Sequence, residues 1–99
     1  MKIINVLSLV GTFAENKDIA RDIRKTKIVP ALEKKEDVTL DFKGVTGATQ
    51  SFVHALISEI IRTEGPESLD HIYFKNCNET IQKIITIVTE YMQEAERNN

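Results

Sequence analysis

The sequence predicts an α/β fold: a small β-α-β-α-β-α domain with a mainly parallel sheet and helices mostly on one face. Three observations carry this expectation. Short apolar runs alternate with longer segments of helical period, the order that builds parallel strands joined by crossover helices. Breaks fall between them, at Gly11, at Gly44 and Gly47, and at Gly65-Pro66. Two of the three strand segments also alternate in polarity, so one face of the sheet is apolar and the other mixed.

The first strand is expected over Ile3–Leu9, interrupted by the polar Asn5 and Ser8. Residues Glu15 to about Lys35 read as a charged helix, with Ile19, Ile23, Ala31 and Leu32 at roughly helical spacing and a kink or split at Pro30, whose ring clashes with the preceding turn. Val38–Phe42 is the second strand, with Val38, Leu40 and Phe42 pointing one way and Thr39, Asp41 and Lys43 the other. Ser51–Thr63 reads as the second helix, and His71–Lys75 as the third strand, with Ile72 and Phe74 opposite His71, Tyr73 and Lys75. In the third helix Ile81, Ile84, Ile85, Val88, Tyr91, Met92 and Ala95 form one stripe at steps of three and four. Asn76 or Asn78 is placed to cap it, and residues 95–99 are expected to fray. The helices are expected to crowd the apolar sheet face and leave the other to solvent or a partner.

With 99 residues, 41% hydrophobic and 28% charged, the chain has globular composition and room for a single core, so residues 1–99 are expected to form one domain. The formal net charge of −2 gives no reason to expect nucleic acid or an anionic membrane as partner. No apolar run approaches the roughly 20 residues of a membrane span, and the opening lacks a cleavage site, so the expected location is the cytoplasm. Charge is uneven along the chain. Residues 1–57 carry nine bases and seven acids, net +2, while the rest carry four and eight, net −4. The basic excess centres on residues 17–35, an electrostatic docking surface or simply a solvated face.

Few residues point to chemistry. Gly44-Val45-Thr46-Gly47 lacks the length and lysine of a P-loop, and a tight strand-to-helix turn explains it. The lone Cys77 rules out an internal disulfide, and its place near a helix start makes it the alternative nucleophile of a thiol-dependent phospho- or sulfur-transfer enzyme. His54 and His71 lack metal-ligand spacing with each other or with Cys77, so neither metal nor cofactor is expected. The turn Thr46–Ser51 holds three hydroxyls. Thr49 or Ser51 is positioned to cap the second helix, and a phosphate added there would change an exposed surface.

The run VTLDFKGVTGATQSFVHALISEII, then HIYFKN and NETIQKIITIV, resembles the STAS-like domain family of unknown function, a relative of the anti-sigma factor antagonist (STAS) domains. The resemblance covers most of the chain and is densest at L-D-F-x-G-V followed by S-F. It implies a non-enzymatic regulatory module that binds a protein partner. In the antagonists this turn carries a D-S-S/T-G-like motif whose Ser or Thr is phosphorylated by an ATPase of the histidine-kinase superfamily. Here the corresponding residues are Thr49 near the motif's Asp, Gln50 near the acceptor and Phe52 in place of the Gly, which leaves Ser51 or Thr49 as acceptors. Thr46, Thr49, Gln50 and Ser51 are therefore the candidate docking and phospho-switch residues. An exposed sheet edge also leaves room for a homodimer.

Overall fold

The computed structural model describes residues 1–97. Its main sheet has three parallel strands, β1 (Lys2–Asn5), β3 (Val38–Asp41) and β5 (Ile72–Lys75), in the order β1-β3-β5. Ile4, Leu40 and Phe74 share one row of the register, and Ile3, Thr39 and Tyr73 the next. The first row lies over the core, where Val38, Leu40 and Phe42 are fully buried and the Phe42 and Phe74 rings stand 6.4 Å apart. On the second row Ile3 is 65% exposed and Tyr73 47%. Thr39 between them is buried, with its hydroxyl 3.5 Å from the Met1 sulfur. The one-sided sheet follows from topology. Right-handed crossovers that step always in the same direction put every connecting helix on the same face.

The expected first strand is shorter than Ile3–Leu9. Asn5 ends β1 and its side chain accepts from the Ser8 amide, so Val6–Val10 forms a helical turn and a half, α1, which closes at Gly11. A second, two-stranded parallel sheet pairs β2 (Phe13–Ala14) with β4 (Gly47–Ala48). Asn16 caps α2 (Lys17–Ile23) by accepting from the amides of Asp18 and Ile19. The expected kink at Pro30 is a widened π-turn over Arg24–Ile28, in which the Val29 amide reaches back to the Arg24 carbonyl. The wider turn accommodates a ring that would otherwise strike the carbonyl four residues earlier. Pro30 then sits in the first turn of α3 (Val29–Glu33), where its missing N–H costs nothing.

The expected helix Ser51–Thr63 is two helices, α4 (Gln50–Ile57) and α5 (Ile60–Glu64). Ser58 is extended and Glu59 adopts a left-handed conformation, φ 67°. Arg24, only 6% exposed, holds this corner: its guanidinium donates to the Ala55 carbonyl at 2.9 Å and to the Ser58 hydroxyl, and faces the Glu59 carboxylate at 3.7 Å. A 3-10 turn (Pro66–His71) leads into β5.

The last helix, α6 (Glu79–Arg97), is capped by Asn78, which accepts from the Ile81 amide at 2.9 Å. Asn76 instead donates to Asp41 at 3.0 Å from a left-handed backbone, φ 58°. Ile81, Ile85 and Val88 enter the core and Ile84 and Met92 pack against it, but Tyr91, expected on the buried stripe, is 65% exposed at its edge. Residues 95–97 of the expected frayed tail are helical, and Asn98 and Asn99 lie outside the described residues. No described helix is long and apolar enough to cross a membrane.

Candidate functional site

The turn after β3 is fastened on both sides. Gly44 takes φ 86°, and a Cβ there would come within 2.7 Å of Leu7 Cδ2. A Cβ on Gly47 would meet the Phe13 ring at 2.8 Å, so any side chain there has to displace that ring. The Thr46 amide and hydroxyl both donate to the Thr12 carbonyl, at 2.7 and 3.0 Å, and the Thr46 carbonyl accepts from the Asn78 side chain at 2.8 Å. The Thr49 amide donates to the Ala14 carbonyl, and its hydroxyl accepts from the Phe52 amide at 3.0 Å as the cap of α4.

The four candidate residues therefore divide. Thr46 and Thr49 have their hydroxyls engaged in holding the turn. Gln50 and Ser51 lie exposed on the first turn of α4, and among the described residues the Ser51 hydroxyl makes no hydrogen bond. Both line a groove of about 880 Å³ bounded by α2, the outer side of α4, and α6. Lys17 and Arg21 line its α2 side, Ala55 and Val88 its floor, and Ile87 and Tyr91 its α6 side.

The basic first helix was legible as a docking candidate. The apolar wall was not, because Tyr91 reads as a core residue in the helical stripe. Its place at the stripe's edge, beside Ile87, is the only signal.

Cys77 stands between β5 and α6. Burial, and secondarily the negative charge of Asp41, push its thiol up to about 11. Asp41 is itself held below the ordinary carboxylate range, mainly by the Asn76 side chain and then by the Lys43 amide. A thiol so shifted stays protonated at neutral pH and is a poor nucleophile. Neither histidine is placed to deprotonate it: His71 pairs with Asp37 at 2.9 Å before β5 begins, and His54 lies on α4 in the groove. Among the described residues no three His, Cys, Asp or Glu side chains gather as metal ligands.

Neither the curated proteins nor the solved structures contain a match to this chain. A family model described as a STAS-like domain of unknown function matches residues 20–82, from α2 through the first turn of α6. That stretch is more than half of the chain and includes the central strand, the fastened turn and α4, so the chain belongs to the STAS-like domain family of unknown function.

Proposed function

We propose that the chain is a non-enzymatic regulatory module that docks a protein partner, as the anti-sigma factor antagonists do, and is switched by phosphate placed on Ser51 by a partner ATPase of the histidine-kinase superfamily. The observation that carries this reading is the placement of Ser51. Its exposed hydroxyl sits on the first turn of α4 and faces the same groove as Lys17 and Arg21. Phosphate there brings nearly two negative charges to a helix start beside two cations, which changes what the groove accepts.

Thr49 is the weaker acceptor, since its half-buried hydroxyl is already held by the Phe52 amide. Gln50 has no hydroxyl, and Thr46 is tied to Thr12.

The test is incubation with ATP and a histidine-kinase-superfamily ATPase from the same genome, followed by peptide mass spectrometry. One phosphate on the 46–51 segment, absent from Ser51→Ala, is the expected result. No phosphate on that segment removes the switch and leaves plain docking.

A further inference from the structure

The groove between α2, α4 and α6 has two unlike walls. Lys17, Arg21, Arg24 and Arg62 contribute four cations to its lining and Glu59 the single carboxylate, net +3 on a chain of net −2. Arg24 is committed to the corner between α4 and α5. The other three are on the surface. Among the described residues Arg21 is held only by the exposed Asp18, at 2.9 Å, and Arg62 only by Glu59, at 4.0 Å. Exposed pairs of this kind contribute little and exchange partners readily.

The facing wall is apolar. Ile87 is 51% exposed, Tyr91 stands beside it, and Met92 and Val88 continue the surface inward. Among the described side chains, the acids of α6 (Glu79, Glu90 and Glu94) are not part of the lining.

The walls and floor come from helices and the corner that joins two of them, with no strand edge among them. An extended segment pairs through free strand edges, so a partner here has to be read through side chains, as a helix laid in a groove is. We infer that this groove binds an acidic amphipathic helix of a partner protein, with Asp and Glu side chains toward α2 and apolar side chains at three- and four-residue spacing against Ile87 and Tyr91. The inference rests on the docking reading above and names its surface. Neither wall alone suffices. The cations would accept any polyanion, but the apolar wall and the net negative chain select against nucleic acid.

The experiment places a photo-crosslinking amino acid, in separate variants of the full chain, at Tyr91 in the groove, at Phe13 on the fastened turn and at Tyr73 on the open sheet face, in the cells that express it. Adducts are mapped by mass spectrometry. The expected adduct forms through Tyr91, and its crosslinked segment is acidic with apolar residues at helical spacing. A synthetic peptide of that segment then binds the wild-type chain, and Lys17→Glu with Arg21→Glu weakens it about tenfold, roughly 1.4 kcal/mol, while leaving the thermal melt unchanged.

Adducts through Phe13 or Tyr73 alone overturn the groove and leave a docking module with another surface. A Tyr91 adduct to RNA, to lipid or to a segment without acidic helical pattern overturns the stated occupant, as does binding indifferent to the double charge reversal. No protein adduct at any of the three positions overturns the docking reading too.

Discussion

Thr49 and Ser51 are two residues apart and similar in chemistry, yet they face different tasks. The Thr49 hydroxyl accepts from the Phe52 amide, an orphan donor of the first turn of α4 that would otherwise be left without a partner. Thr49→Ala is therefore expected to cost about 1 kcal/mol of unfolding free energy in urea, and Ser51→Ala less than about 0.5 kcal/mol. Cys77 permits a sharper measurement. An acid whose folded value is raised contributes its full stability below the unfolded value and loses it as pH climbs toward the folded one. Stability is thus expected to fall between about pH 9 and 11, the ordinary and shifted values of the thiol. Alkylation of the native protein should be slow at pH 7, with a midpoint near 11. Asp41→Asn should lower that midpoint only in part, because burial is the larger cause and the carboxylate the smaller.

Among the elements, Arg24 explains a break that local sequence does not show. Nothing in Ile57-Ser58-Glu59-Ile60 resembles a helix terminus: there is no glycine and no proline. The helix ends there because a guanidinium from the π-turn, 31 residues earlier than Ala55, takes that residue's carbonyl and the Ser58 hydroxyl. Arg24→Met leaves the buried Ala55 carbonyl and the half-buried Ser58 hydroxyl without their donor, and is expected to cost about 1–3 kcal/mol in urea unfolding. Lysine should restore it only in part, since a single ammonium can take the two acceptors that one guanidinium nitrogen holds but cannot also present a second nitrogen to the Glu59 carboxylate.

The central and third strands, the kink at Pro30 and the last helix were legible, because alternation, a missing N–H and a long amphipathic stripe are local signals. Asn5 with Ser8 three residues on was a cap signature in plain view, masked by the apolar residues on either side. The β2–β4 pairing is two residues long on each side and joins segments more than 30 residues apart, so no local pattern announces it. The site divided in the same way. The turn was legible from its glycines and hydroxyls, whereas the groove needs three helices brought together by the fold.

For the molecule as a whole, the decisive property is a sheet covered on one side. Ile3→Ser and Tyr73→Ser on the open face are each expected to cost less than about 1 kcal/mol. Leu40→Ala on the covered face should cost about 2–5 kcal/mol, because its cavity opens in the middle of the core. Equal losses on the two faces, measured by chemical denaturation, would contradict the one-sided arrangement.

The short first strand has a consequence for kinship. β1 and β2 precede residue 20 and most of α6 follows residue 82, so the stretch that marks the family is shorter than the stretch that folds. Without residues 1–19, β3 has a bare edge, β4 has no neighbour and Thr46 has no acceptor for its amide. Without the residues after 82, Ile85 and Val88 leave the core and the groove has no apolar wall. A relative that shares only the marked stretch must draw an edge strand and a closing helix from its own flanks or borrow them from another chain. What marks this chain as a member of the family is thus the middle of its domain, while its edge strand and closing helix come from residues that the match does not reach.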